Sequence, residues 1–98
     1  MITLFRLEHK DGSGIYFNRD GSMKSRPTIR FNDHGLYAFV NINRFAEPSY
    51  VGFYNCEDYL LYEILVSDAL VYRTGQAIFN PNDVISKNII SKPSLSDI

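Results

Sequence analysis

The chain has 98 residues, of which 45% are apolar and 14% are aromatic, and its formal net charge is −1. This length is typical of one domain with a single core, and a near-neutral charge argues against a general nucleic-acid or anionic-membrane binder, which carries a basic surface. With Cys56 as the only cysteine, no internal disulfide forms, which favours a reducing compartment.

The N-terminal residues show no targeting signal, because they lack the basic region followed by an apolar stretch that marks a signal peptide. No apolar run in the sequence reaches the roughly 20 residues that a bilayer-spanning helix needs. We therefore expect a cytoplasmic protein that contacts no membrane.

The first strong pattern is Ile2–His9, which is rich in strand-forming residues and predicts a β-strand. Residues two apart share a face of a strand, so Arg6 and Glu8 lie side by side and are close enough to pair. In the sharper interpretation, Arg6 and His9 project into a pocket at the strand end and meet an anionic ligand. The tetrapeptide Asp11-Gly12-Ser13-Gly14 then predicts a turn.

Residues 18–35 have loop composition, interrupted by a predicted short strand at Thr28–Phe31. Nucleic-acid contact through the Arg19–Arg30 loop, by binding to phosphates, is a weaker alternative for function, because aspartates dilute the positive charge of the loop. Its four basic residues are Arg19, Lys24, Arg26 and Arg30.

The middle of the chain predicts a further strand at Leu36–Ile42, where two sets of side chains alternate cleanly. Asn55 is a candidate helix cap, with Asp58 at the third helical position. The apolar run that follows is ambiguous between helix and strand. We favour one or two helical turns from Cys56, followed by a strand over Leu61–Val66.

The last third of the chain predicts a β-hairpin, with strands at Ala69–Arg73 and Gln76–Asn80 around Thr74-Gly75. Val84–Ile90 predicts a short helix. These elements predict an α+β fold: a single globular domain over residues 1–90, with a mostly antiparallel sheet of five or six strands and one or two short helices. The small, polar, proline-broken tail over 91–98 predicts loose order.

Three stretches carry a family resemblance: LFRLEH with GSGIY near the start, VGFYNCEDYLLYEI in the middle and ALVYRTGQAIFNPNDVI near the end. They resemble the opening Arg-x-Glu strand with its Gly-x-Gly turn, the short-helix segment and the closing hairpin of a group of small bacteriophage-encoded proteins. The stretches cover about half of the chain, and Ile15 stands where the group tends to have proline. The group has no settled activity, so the resemblance implies a phage origin more than a mechanism.

A phage origin favours a protein that binds and inhibits a host defence or regulatory protein by occlusion, without catalysis. A near-neutral, tyrosine-rich chain with no recognised catalytic constellation is consistent with that role. Open sheet edges are also compatible with a homo-oligomer. The residues predicted to contact the partner are Arg6, Glu8, Arg30, Tyr50, Phe53, Tyr54 and Tyr59.

The alternative is a small-molecule site, in a nucleotide-sequestering protein or an enzyme resembling ADP-ribosyltransferases. Such a transferase uses a strand residue to hold a ribose, an aromatic ring to stack on nicotinamide and a glutamate to stabilise the oxocarbenium ion. Candidates of these types are Arg6, His9, Tyr16 and Glu63, and they must converge on one cleft. We expect no cofactor and no metal, because the sequence has two histidines and no cysteine pair.

Overall fold

The structure, a computed structural model, describes residues 1–12 and 36–95. The predicted strand at Thr28–Phe31 and the basic residues from Arg19 to Arg30 lie outside these ranges, as do Ser13, Gly14 and Tyr16. The described strands are β1 (Ile2–His9), β2 (Leu36–Phe39), β3 (Tyr59–Val66), β4 (Leu70–Val71), β5 (Gln76–Phe79) and β6 (Val84–Ile90). The helical elements are α1 (Val51–Tyr54) and two 3-10 turns, Ile42–Ala46 and Pro81–Asp83.

The six strands form one sheet in the order β4-β5-β2-β1-β3-β6, and every neighbouring pair is antiparallel. The longest pairing joins β1 to β3 over their full length, from Ile2 opposite Val66 to His9 opposite Tyr59. This confirms the predicted α+β domain with a mostly antiparallel sheet. Among the described residues, none of the helices has the length and apolar character needed to cross a membrane.

Each face of the sheet carries its own apolar cluster, because strand side chains alternate between faces. On the first face, Leu7 and Leu61 lie opposite each other on β1 and β3 and pack beneath Phe45 of the first 3-10 turn and Tyr54 of α1. On the second face, Leu4 and Ile64 are fully buried, and they pack with Ala38, Val66, Ala77 and Phe79. The central strands β1 and β3 therefore bury apolar side chains on both faces.

The predicted strands at Ile2–His9 and around the hairpin are confirmed, although β4 and β5 are shorter than predicted. The strand that begins at Leu36 ends at Phe39 rather than at Ile42. It stops there because the Asn41 side chain accepts a hydrogen bond from the Asn43 N–H at 2.9 Å and caps a 3-10 turn. A local side-chain bond thus outcompetes an alternating apolar pattern.

The predicted helix from Cys56 is wrong. The helical turn comes earlier, at α1, and Asn55 lies at its C-terminal end, where its N–H bonds to the carbonyl of Val51 at 3.0 Å. The chain then enters β3 at Tyr59, two residues before the predicted start of the strand. Packing of Tyr54 against the sheet overrides the capping signal of Asn55.

The predicted helix over Val84–Ile90 is also wrong, because this segment is strand β6. The polar residues before the segment form a 3-10 turn instead, in which the Asn80 side chain accepts a hydrogen bond from the Asn82 N–H at 2.9 Å. Pairing with β3 and the three isoleucines of the segment favour an extended backbone. β6 closes one end of the sheet, and the short strand β4 closes the other.

The described part of the C-terminal tail contacts the core. The Tyr54 hydroxyl donates a hydrogen bond to the carbonyl of Pro93, and the Lys92 ammonium donates to the carbonyl of Cys56 at 2.8 Å. Leu95 packs against the first-face cluster. Lys92, Pro93 and Leu95 therefore contact the domain, and the loose order predicted for 91–98 stays a prediction.

Candidate partner-binding site

The aromatic residues predicted to form a contact surface lie in the core. Tyr50, Tyr54 and Tyr59 are buried, and Phe53 packs edge-on against Tyr59 with ring centroids 5.1 Å apart. Burial raises the pKa of the Tyr54 phenol above its ordinary value. The three buried tyrosine rings are therefore not available as anchors for a partner, in contrast to the prediction that placed them at the surface, whereas Phe53 is partly exposed.

Phe45 is the residue around which this aromatic cluster is arranged. Its ring stacks on Tyr54 at 5.8 Å and contacts Phe39 edge-on at 5.3 Å. The neighbouring Arg44 guanidinium lies 5.2 Å from the centre of the Phe39 ring and pairs with Glu47 at 2.9 Å. The 3-10 turn directs the Phe45 side chain onto the first face of the sheet.

Arg6 and Glu8 form the predicted ion pair, on the second face, with Nε and Oε2 2.9 Å apart. Arg6 also donates to the backbone carbonyl of Tyr37 at 2.6 Å. Lys87 of β6 completes the group, because its ammonium lies 2.9 Å from both oxygens of Glu8 and 4.5 Å from the centre of the Tyr62 ring. Glu8 is only 8% exposed, so this is an internal charge cluster rather than a partner surface.

His9 is the last residue of β1, next to Glu8, at a turn that is hydrogen-bonded to the residue before β3 through the Lys10 N–H and the carbonyl of Asp58 at 2.8 Å. Its Nδ1 accepts a hydrogen bond from the Asp11 N–H at 3.1 Å, and its ring packs edge-on against Tyr59. The Lys10 ammonium pairs with Asp58 at 2.8 Å and lowers the pKa of that carboxyl group. These contacts give His9 a structural role in holding the turn.

The structure does not bring the residues of the predicted small-molecule site together. Glu63 is exposed and lies opposite Phe5, on the first face, whereas Arg6 projects from the second face. His9 shares the face of Glu63 but lies opposite Tyr59, about 13 Å further along the strand. The convergence on one cleft that this hypothesis requires is absent among the described residues, and no group of metal-binding side chains is found among them.

An exposed apolar surface lies instead at the β4 end of the sheet. Leu70 is 54% exposed, Tyr72 is 44% exposed, and Val71 and Val40 are also exposed. Arg73 is exposed next to Tyr72. We call this the hairpin surface, formed by Val40, Leu70, Val71, Tyr72 and Arg73.

The local sequence builds the hairpin surface through a tight turn. Gly75 has φ +86°, which favours glycine, and its N–H bonds to the carbonyl of Tyr72 at 3.0 Å. The Tyr72 N–H in turn bonds to the carbonyl of Gln76 at 2.8 Å. Val40 joins the surface because its N–H bonds to the carbonyl of Gly75 at 2.9 Å. The exposed side chains are therefore held on a hydrogen-bonded framework.

Sequence patterns carry one signal for this surface that the predictions missed. Leu70 and Val71 are neighbours on a short strand, so they point to opposite faces. A strand at the end of a sheet has a neighbour on one side only, so both side chains become accessible at the edge. The missing information was which predicted strand lies at the edge.

The opposite edge, β6, also exposes apolar side chains. Ile85 is 54% and Ile89 is 59% exposed, close to the value for Leu70. The two ends of the sheet therefore present similar aliphatic exposure, but only the hairpin surface adds an exposed tyrosine and an arginine within the described residues.

Comparison with known proteins finds no matching family model, curated protein or solved structure.

Proposed function

We propose that this chain is a phage-type protein that binds a protein of a bacterial host and inhibits it by occlusion, with the hairpin surface as the contact. The observation that carries the proposal is the grouping of exposed Leu70, Val71 and Tyr72 beside Arg73 on one edge of the sheet. Tyrosine and arginine are enriched among residues that dominate binding energy at protein interfaces. The host would be bacterial and the contact cytoplasmic, following the resemblance to phage-encoded proteins.

The strand beneath the hairpin surface supports this role. Leu70 and Val71 lie opposite Ile78 and Ala77 of β5, and both of these are buried. A surface backed by packed strand residues loses little conformational freedom when it binds, so more of the contact energy appears as affinity. Occlusion requires only such a rigid surface and no reacting group.

Tyr72 is the side chain expected to contribute most. Truncation of a central tyrosine at an interface typically costs about 2 kcal/mol or more, which corresponds to a roughly 30-fold loss of affinity. Arg73 stands at the turn and is suited to a carboxylate on the partner. The partner therefore needs an apolar patch with an acidic group at its margin.

The test is capture of host proteins from bacterial lysate by the tagged full chain, followed by mass spectrometry. Two matched variants place the same charge at opposite edges: Leu70→Lys in the hairpin surface and Ile89→Lys on β6. We expect one host protein at near-equal stoichiometry with the wild type and Ile89→Lys, and its loss with Leu70→Lys. The purified chain should then inhibit that protein in proportion to the fraction bound.

Two results would contradict the proposal. One is capture of the host protein by Leu70→Lys with unchanged affinity. The other is a released nucleotide with no protein partner, which would favour a small-molecule site.

A further inference from the structure

Strand β6, Val84–Ile90, lies at the end of the sheet that the described residues form. Within the described residues it pairs with β3 on one side and with no strand on the other. Every second residue of such an edge turns its backbone N–H and C=O groups outward, which makes it a template for another strand.

Lysine side chains on edge strands commonly prevent such pairing, because their charge resists the approach of a second chain. Lys87, at the centre of β6, is directed inward instead. Its ammonium lies over the Tyr62 ring, 4.5 Å from the ring centre, and 2.9 Å from both carboxylate oxygens of Glu8 on β1. The charge is thereby paired with Glu8 on the second face of the sheet, where the Lys87 side chain is 38% exposed, and the edge keeps the exposed isoleucines Ile85 and Ile89.

The sequence of β6, VISKNII, has a palindromic pattern about Lys87. On each side of the lysine there is one small polar residue, followed by two aliphatic residues. A strand with this pattern is complementary to itself in the antiparallel direction. Self-complementarity is the property that a two-fold symmetric interface requires.

We propose that two copies of this chain pair through their β6 strands, antiparallel and about a two-fold axis at Lys87. Ile85 of each copy then lies opposite Ile89 of the other, and Ser86 lies opposite Asn88. The two central lysines do not repel each other strongly, because each is bound to Glu8 of its own sheet. The β-bulge of β6 falls at Ile85, between the paired residues Val84 and Ser86, two residues from the axis.

This pairing goes beyond the proposed function, because it concerns the edge opposite the hairpin surface. The order of strands places β4 at one end of each sheet and β6 at the other. Joining two sheets through β6 leaves the two hairpin surfaces at the far ends of one continuous sheet. The dimer would then hold two partner molecules, or two sites of a symmetric partner with increased avidity.

The first test is sedimentation equilibrium of the full chain over a concentration series. The wild type should pass from the mass of one chain to that of two. Ile89→Lys should weaken self-association about tenfold or more, because the symmetry places each substitution in the interface twice. The matched variant Leu70→Lys should associate like the wild type, and circular dichroism checks that both variants fold.

The second test fixes the register by cross-linking, in a Cys56→Ser background that removes the native thiol. The double variant Ile85→Cys/Ile89→Cys should form a covalent dimer under mild oxidation, because residues 85 and 89 face each other across the axis. Each single variant should cross-link poorly. A wild type that stays monomeric at all concentrations, or a dimer weakened by Leu70→Lys and not by Ile89→Lys, would overturn the proposal.

These results are separable from the test of the proposed function. Failure of β6 pairing changes the oligomeric state and leaves capture of the host protein intact. Failure of the hairpin surface removes capture and leaves the oligomeric state unchanged.

Discussion

The charge cluster of Arg6, Glu8 and Lys87 predicts an asymmetric response to mutation. Glu8→Gln removes the carboxylate from both cations while keeping the shape of the side chain. In this variant the nearly buried Arg6 keeps only its hydrogen bond to the Tyr37 carbonyl, whereas the partly exposed Lys87 ammonium can be hydrated. A hydrogen bond to a charged group contributes about 1.5–3 kcal/mol when buried, and an exposed ion pair about 0.2–1 kcal/mol. We therefore expect Glu8→Gln to lower the free energy of unfolding by about 2–3 kcal/mol.

Urea denaturation of the wild type, Glu8→Gln and Lys87→Met measures this difference. Lys87→Met keeps the inner pair and should cost only about 1 kcal/mol or less, because the ammonium is partly solvated. The double variant should cost less than the sum of the two single changes, since both remove the same contact. The reasoning would be refuted if Glu8→Gln cost less than Lys87→Met, or if the two effects were additive.

Three further predictions concern the core and the backbone. Phe45→Ala should lower the free energy of unfolding by about 3–5 kcal/mol in urea denaturation, because it empties the centre of the aromatic cluster; a loss below about 1 kcal/mol would contradict its central position. Gly75→Ala should lower the free energy of unfolding by about 1 kcal/mol, because φ +86° strains an L-residue while the new methyl group meets only Val40 at 3.5 Å. The matched variant Gly52→Ala should be neutral or stabilising in the same assay, because its methyl group meets nothing within 4 Å. Burial raises the pKa of Tyr54, so the unfolded chain loses this proton first as pH rises past about 10 and stability falls above that pH. The stability difference between the wild type and Tyr54→Phe should therefore shrink between about pH 9 and 11, and a constant difference would argue against a buried neutral phenol.

Local patterns in the sequence predict several elements of the fold well. The strand at Ile2–His9 has its predicted bounds, and the Thr74-Gly75 turn forms the predicted hairpin. Both depend on contacts between residues close in sequence, namely alternation along one strand and a tight turn. The Arg6–Glu8 pair is local in the same way, since the two residues are neighbours on one face.

The features that sequence patterns missed depend on residues far apart in the chain. Lys87 reaches Glu8 across 79 positions, and no local pattern indicates that contact. The segment Val84–Ile90 becomes a strand because β3 offers a free edge, which is a property of the assembled sheet. Tyrosine content likewise does not reveal whether Tyr54 or Tyr72 is exposed, because exposure is decided by which strand lies at the edge.

The central claim is that the hairpin surface is the contact with the host protein. Hydrogen–deuterium exchange of the full chain, with and without the captured host protein, tests it most directly. We predict slower exchange at the amides of residues 70–73 and at Val40 in the complex, with the β6 amides unchanged by the partner. Protection confined to residues outside the hairpin surface would contradict the account.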